Sequence, residues 1–472
     1  MTDKLKYKLL GIIFILGYSS LSFELILLRQ LVNFVGSNAL ITSIVIAVIL
    51  LFLCVGYYIG STILVRRLSF RKLVKRIVYT LSFWYVLACS YYVLGGFFYL
   101  MSTAGIVNPA IQVLFASFLF AAAPSVALGF ITSYFGRIVH HYNADYTGRF
   151  MAIDTLGSVS GSLLTTLFFM PLWGVMSAVT ALVLLNSSVL LFVSKRKDTV
   201  SEAVLCVCFT AMAFVVANER IWFKQSGLVL DNAIARLELI PTDFEQGKPQ
   251  SIAMIINGSN SSKMSAKEEL MFPYIDYINS NYINNLPTDK TNDILILGAG
   301  GFTVGHNDTR NNYIYLDVIG ELKDISEQRF LGKSLTANKK FVVQDAYFYM
   351  LRNTQKFDLI VVDLYSSLSN IPVNFVTADF FEMVKSSLKP NGIMVANIIT
   401  SPAFKTKYSR RIDNTLRYVF KHSLSRQIIA FADKSSINPY DDELHNVLYA
   451  YYNNGEDDEI YTIDKNSAVF GQ

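Results

Sequence analysis

The sequence predicts a polytopic α-helical membrane domain of about seven spans, then a small β-hairpin region, then a parallel α/β domain. Three observations predict this order. The 472-residue chain is 52% hydrophobic and only 16% charged, with a mean hydropathy of +0.38, too apolar for an ordinary soluble protein. The long apolar runs all lie before Asn218. After it, short apolar runs alternate with amphipathic stretches, as strands and helices do in a parallel sheet. The reading divides the chain at 1–218, 219–290 and 291–472.

Seven apolar segments fill the first part, at about 9–30, 39–65, 77–101, 109–138, 150–170, 173–194 and 200–217. Each is near the roughly 20 residues a helix needs to cross a bilayer. The first follows Lys4, Lys6 and Lys8; it lacks a convincing cleavage site and is read as a retained helix. Basic residues mark every second loop: "RRLSFRKLVKR" at 66–76, Arg137 and Arg149, and "KRK" at 195–197. Those loops and the N-terminus are therefore expected in the cytoplasm, and the net charge of +5 reads as a topology signal rather than a nucleic-acid signal. Cys54, Cys89, Cys206 and Cys208 all lie in apolar stretches and form neither a disulfide framework nor a zinc-ligand spacing. Glu24, Arg29 and Asp154 are ionisable residues within spans, a functional pattern by default, although snorkelling or pairing also accounts for them. "GSVSG", Gly157 to Gly161, is a small-xxx-small stripe that lets helices pack closely. His140 and His141 are adjacent, a poor spacing for metal ligands, and read as a wet loop.

In the second part "RLELI" (236–240) and "SIAMIING" (251–258) read as a hairpin-forming pair, and 267–283 as an amphipathic helix interrupted near Pro273. Strands are expected at "DILILG", "NYIYLD", "KKFVVQD", "FDLIVVD" and "GIMVANII", with helices at 320–331, 346–353, 377–388 and 409–422. Later strands are read at "SRQIIAFA", "NVLYAYYN" and "EIYTID". Ligands of such a sheet sit beyond the carboxyl ends of its strands. There the sequence places a Gly-rich turn, Gly298, Gly300 and Gly301, and three strand-ending aspartates, Asp317, Asp345 and Asp363. Such carboxylates suit ribose hydroxyls, an exocyclic amine or an attacking amine. Each also suits the capping of the following helix. Between Gly301 and Tyr313 the segment "FTVGHNDTRNN" has no helical apolar repeat, so at most a turn or two of helix is expected, with His306 as a solvated turn residue.

These residues resemble the spermidine synthase family of aminopropyltransferases, a branch of the class I methyltransferase fold, and the first half resembles the multi-span segment fused to such domains in many bacterial proteins. "LGAGG" is similar to the family's cofactor loop, "QDA" to its Asp-Ala near the adenine, and "IPVNFVTADFFEMVKSSLKPNGIMVANI" to its Leu-Thr-x-x-Phe-Phe…Leu-x-Pro-x-Gly pattern. Tyr274 and Asp276 stand where it often has Tyr-x-Glu. The resemblance implies a Rossmann-like domain in which Gly298, Gly300, Gly301, Asp317, Asp345 and Ala346 bind the cofactor and Asp363 acts on the incoming amine. The implied cofactor is decarboxylated S-adenosylmethionine, or S-adenosylmethionine for a methyltransferase-like activity; no metal is expected. Two family acids are replaced, one in the Gly-rich loop by Gly301 and one after Asp363 by Ser366. A desolvated diamine needs anionic partners, so this site is expected to be degenerate.

Two functional readings follow: a membrane-tethered aminopropyl- or methyltransferase-like enzyme, and a catalytically inactive domain reused to bind an envelope protein. A transport role for the helices is a third. Seven spans from a cytoplasmic N-terminus leave the C-terminal domain outside the cytoplasm, on the cell (inner) membrane, away from cytosolic S-adenosylmethionine.

Overall fold

Apolar runs of the first half become helices α1 (Asp3–Val35), α2 (Ala39–Thr62), α3 (Phe70–Ala88), α4 (Tyr91–Thr103), α5 (Pro109–Tyr142), α6 (Tyr146–Leu164), α7 (Met170–Val193) and α8 (Thr199–Ala217). The computed structural model describes residues 3–36, 39–62, 69–106, 108–142, 144–195, 198–218, 227–246, 248–265, 271–365, 371–429 and 444–454. The chain forms two compact units, Met1–Glu238 and Leu239–Gln472.

In the first unit, five helices among the described residues are long and apolar enough to cross a membrane. A bent pair, α3 with α4, raises the number to as many as six. The expected span at 77–101 is this pair, which turns by 63° at Cys89 and Ser90. The side-chain amide of Gln30 donates to the Cys89 carbonyl at the break (3.3 Å). The expected segments 150–170 and 173–194 run on as one 48-residue stretch, Tyr146–Val193, which leaves helical geometry inside α7 at Gly174 (φ 83°, ψ 171°). His140 and His141 lie in the last turn of α5 and are exposed, so they continue a helix rather than form a loop.

Close backbone contact between sequence-distant helices holds this unit together. A Cβ on Gly157 would lie 2.2 Å from the Phe14 carbonyl oxygen, one on Gly161 2.3 Å from that of Tyr18, and one on Gly17 2.2 Å from that of Asp154. Contacts 14–157 and 18–161 advance together, so α1 and α6 run parallel. One turn further on, the Ser22 and Thr165 hydroxyls are 2.7 Å apart. Gly56 and Gly60 of α2 meet the carbonyls of Val126 and Phe130 of α5 in the same way, at 2.3 and 2.5 Å. The packing role read for "GSVSG" is thus its observed role. Arg29 is buried and paired: Nε donates to the Asn232 carbonyl (2.6 Å), Nη1 to Asn33 Oδ1 (2.7 Å) and Nη2 to Asp231 Oδ1 (3.2 Å). Arg236 bridges Asp231 and Glu238 and lies over the Tyr91 ring at 3.6 Å. Asp231 ends strand β1 (Leu228–Asp231), which pairs antiparallel with the start of β2 (Arg236–Glu245).

In the second unit β3 (Lys248–Ile256) lies between β2 and β4 (Ser259–Ser265), turning into β4 at Asn257–Gly258. Helix Pro273–Ile278 starts at Pro273 instead of being interrupted there, because a first-turn proline sacrifices no helical hydrogen bond. The main sheet contains β5 (Asp293–Leu297), β6 (Asn312–Asp317), β7 (Lys339–Val343), β8 (Phe357–Val362), β9 (Leu388–Thr400), β10 (Leu424–Ile429) and β11 (His445–Tyr452). Their order is β10-β11-β9-β8-β5-β6-β7. Strands β7, β6, β5, β8 and β9 are parallel, whereas β11 is antiparallel to both neighbours. The chain leaves β5 toward β6 and β7, then returns to add β8 and β9 on the other side, the doubly wound Rossmann-like arrangement. Helices Ala346–Arg352, Ala378–Ser386 and Lys407–Phe420 cover one face through Met350, Phe380, Phe381, Ile412, Leu416 and Phe420. The expected helix 320–331 is a short turn, Leu322–Ile325, continued by a π-turn, Ser326–Phe330. No helix forms between β5 and β6, as the lack of apolar periodicity predicts. The strand read at "EIYTID" lies outside the described residues.

If the α1–α6 contact stabilises the first unit, Gly161→Val should lower its stability by about 1–3 kcal/mol, the cost of overpacking. Gly96→Ala, at a position with nothing within 4 Å of the added carbon, should be neutral or mildly stabilising. Thermal melting of the detergent-purified chain checks the pair; equal melting temperatures would remove the packing argument.

Candidate active site

The switch point of the sheet lies between β5 and β8, and the predicted residues converge on it. Asp363 N donates to the Leu297 carbonyl (2.8 Å), carrying the β5–β8 ladder one residue past the strands. Gly298 follows at φ 93°, and a Cβ there would sit 2.1 Å from the Asp363 carbonyl oxygen. Only glycine allows the two chain segments to touch at this point. Gly300 (φ 49°) faces Ser261 and Ser262 of β4, whose Oγ atoms would each be 2.9 Å from an added Cβ. The hairpin therefore abuts the Gly-rich turn.

Asp363 is partly buried and accepts two hydrogen bonds, from Asn397 Nδ2 to Oδ1 (2.9 Å) and from the Tyr274 hydroxyl to Oδ2 (3.0 Å). Burial raises its pKa to about 6, and the two donors oppose the rise without cancelling it. Burial and the adjacent Asp363 charge push the Tyr274 phenol well above its ordinary value, so it remains a donor. Near neutral pH this leaves a carboxylate aimed by a tyrosine and an asparagine, able to orient an amine or take its proton.

The other aspartates divide between the two uses read from sequence. Asp317 Oδ2 accepts from Ala299 N and Oδ1 from Ile319 N, both at 3.1 Å. Burial pushes its pKa up against these amide bonds. Asp317 thus ties the Gly-rich turn to the end of β6. Asp345 caps helix Ala346–Arg352: Oδ1 accepts from Tyr347 N (2.9 Å) and Phe348 N (3.1 Å), with Ala346 buried as the first helical residue. Asp276 is exposed, away from the Tyr274–Asp363 pair. His306 is buried, not solvated, because the loop after Phe302 folds inward in place of a helix. Asp308, the nearest substitute acid, closes that loop by accepting from Arg310 N (2.8 Å), Asn311 Nδ2 (2.5 Å) and Tyr313 Oη (2.6 Å). Burial alone would raise its pKa, but these bonds outweigh it and lower it.

At position 301 an acid is not merely missing. A Cβ on Gly301 would lie 2.3 Å from Phe330 Cε1 and 2.9 Å from Ser262 Cβ, so ring and hairpin fill the space. Gly301 N donates to Ser262 Oγ (2.8 Å). Ser366 lies outside the described residues. Sequence reasoning did not single out Asn397 or Phe330, though Asn397 is the one polar residue in the apolar run "GIMVANII". Among the described residues no cluster of His, Cys, Asp and Glu could hold a metal ion.

The raised Asp363 pKa has a stability consequence. A carboxyl favoured in its neutral form by folding costs stability as pH rises through the interval from its ordinary 3.8 to about 6. Asp363→Asn should therefore gain on the parent protein across that interval, by about 2–3 kcal/mol at pH 7 before any loss of hydrogen bonding is counted. Melting curves of both proteins from pH 4 to 8 test this; a constant difference would contradict the buried-carboxylate account.

Residues 327–431 match the spermine/spermidine synthase domain family. The polyamine aminopropyltransferase of Sulfurisphaera tokodaii is 29% identical over 182 residues, covering 36% of this chain and 56% of that protein. That of Sulfolobus acidocaldarius is 26% identical over 183 residues, covering 36% and 57%. The chain spans about half the length of these curated relatives. Among solved structures, a probable spermidine synthase from Corynebacterium glutamicum aligns over 49% of this chain and 80% of its own, with 21% identity and a TM-score of 0.38. The C-terminal region carries a spermine/spermidine synthase domain related to polyamine aminopropyltransferases.

Proposed function

We propose that this chain is an integral membrane protein whose C-terminal domain keeps the nucleoside-binding frame of the aminopropyltransferases without a competent diamine site. The observation that carries the reading is the contrast at the switch point. Asp363 remains, held by Tyr274 and Asn397, while the position of the loop acid is Gly301 under the Phe330 ring. A diamine held for attack on the carbon beside a sulfonium must have one amine deprotonated while its other, charged end is neutralised. Asp363 serves the first task. Asp308, the nearest alternative for the second, is engaged in its own loop. A methyltransferase-like reaction on another nucleophile, or binding of an envelope protein without chemistry, remains compatible with the same frame.

Membrane integration is supported by the long apolar helices and by their exposed apolar residues, among them Leu50, Leu51, Phe115, Leu167 and Val207. A straight helix of 48 residues would be about 72 Å long, over twice the roughly 30 Å hydrocarbon core. Divided at Gly174 it supplies two spans, and with the bent pair counted as one the total is seven. The orientation argument does not depend on that total. Lys8 donates to the Phe192 carbonyl (2.9 Å), and Lys75 pairs with Glu202, so the N-terminus, the start of α3 and the α7–α8 connection share one end of the unit. Arg29, about 31 Å further along α1, holds Asp231 and Asn232 beyond the last helix. With the basic end in the cytoplasm, the segment after α8 emerges on the other side.

Two outcomes follow. A C-terminal reporter active only in the cytosol should stay inactive; activity would reverse the orientation. Purified protein given decarboxylated S-adenosylmethionine and putrescine should form no spermidine at the typical enzymatic rate of roughly 1–1,000 per second. Turnover in that range, abolished by Asp363→Asn, would show the site to be competent.

A further inference from the structure

Resting on the nucleoside reading above, we infer that the pocket takes an uncharged nucleoside thioether, of the class of 5′-methylthioadenosine, and discriminates against cofactors with a charged tail on sulfur, Phe330 being the specificity-determining residue. A Gly-rich turn ordinarily serves an anionic group by presenting unpaired backbone N–H groups to it. Here those groups are used internally. Gly298 N donates to the Leu316 carbonyl (2.9 Å), Phe302 N to that of Ala299 (2.9 Å), Ala299 N to Asp317 Oδ2 (3.1 Å) and Gly301 N to Ser262 Oγ (2.8 Å). The Gly300 amide is also directed to the Asp317 carboxylate. A tail carboxylate would have to displace one of these bonds to find a donor.

An ammonium tail fares no better. It needs a carboxylate when withdrawn from water, and the position nearest the turn carries no side chain. Phe330, buried at the end of the π-turn after β6, sends Cε1 and Cδ1 into the volume that a side chain at 301 would occupy. An apolar ring in that place favours a neutral alkyl substituent. The nucleoside end keeps polar partners: a carboxylate oxygen accepts two hydrogen bonds, so Asp317 retains capacity for a ribose hydroxyl while holding the turn. The same substitution that removes charge from the loop therefore changes which ligand fits, rather than only weakening the fit.

The experiment is calorimetry on the full chain in nanodiscs with 5′-methylthioadenosine, decarboxylated S-adenosylmethionine and S-adenosylmethionine. The thioether should bind at least about tenfold tighter than either sulfonium, since only the charged tails lose solvation without a partner. Equal or tighter binding of a sulfonium overturns the inference while leaving the nucleoside reading in place. No binding by any of the three at millimolar concentration overturns the nucleoside reading and this inference with it. A second arm pairs Gly301→Asp with Phe330→Ala, which opens the volume and supplies the acid. The double variant should gain about tenfold for the decarboxylated sulfonium relative to the thioether. A folded double variant with unchanged ranking would overturn the role of Phe330. If the double variant does not fold, Phe330→Leu decides that role: a ranking identical to the parent's, with the smaller side chain in place, counts against it.

Discussion

The C-terminal unit depends on the crossing of two chain segments at Gly298. There β5 has ended but its hydrogen bonding has not: Leu297 still accepts from Asp363 N and Gly298 N still donates to Leu316. Strand β5 is thus held on both sides at the point where the chain order reverses. A side chain at 298 would force the ends of β5 and β8 apart and move Asp363 away from Tyr274 and Asn397. The position of the carboxylate, the aim of the glycine turn and the seating of the β3–β4 hairpin over it all follow from this one close approach. It survives where the loop acid does not, because it belongs to the fold rather than to any particular reaction.

The departures around it form a connected set. With no helix after the turn, no helix N-terminus points at the pocket, and the loop that replaces it folds back on itself through Asp308, Tyr313 and Tyr315. Phe302 occupies a left-handed conformation (φ 60°) and is buried against Tyr315 and Phe341. An apolar residue in that strained geometry persists only where its surroundings over-determine it. The aromatic cluster therefore takes over the packing that a helix would have provided. Binding capacity is lost at the phosphate- or carboxylate-accepting end and retained at Asp363, a division that two separate point changes would not by themselves produce.

Much of this was legible from residues. The apolar runs of β5 through β9 each end or begin at turn residues, so the parallel sheet follows from periodicity, and Asp363 from its place at a strand end. The family resemblance rests on those same stretches. What could not be read was pairing between distant positions. Tyr274 reaches Asp363 across 89 residues and Asn397 across 34, and nothing in local pattern links them. Phe330 looks like an ordinary amphipathic-helix residue until its ring is found against Gly301. His306 sits in a polar run that argues for solvent, yet the inward fold of the loop buries it. In the first unit, hydropathy sees a span at 77–101 but not its break, since a bend stabilised by Gln30 leaves no trace in apolar content.

The parallel packing of α1 against α6 has a consequence for how the protein is made. Parallel neighbours in a bundle cannot be consecutive, and here about 110 residues separate the end of one from the start of the other. During synthesis in the proposed membrane setting, the face of α1 that carries Gly17, Ser19 and Ser22 waits for its partner while the intervening helices emerge. Strand β1, which holds Arg29 through Asp231, comes later still. The basic side chain of α1 is thus without its acid for most of translation, and the first helix is the last to be completed.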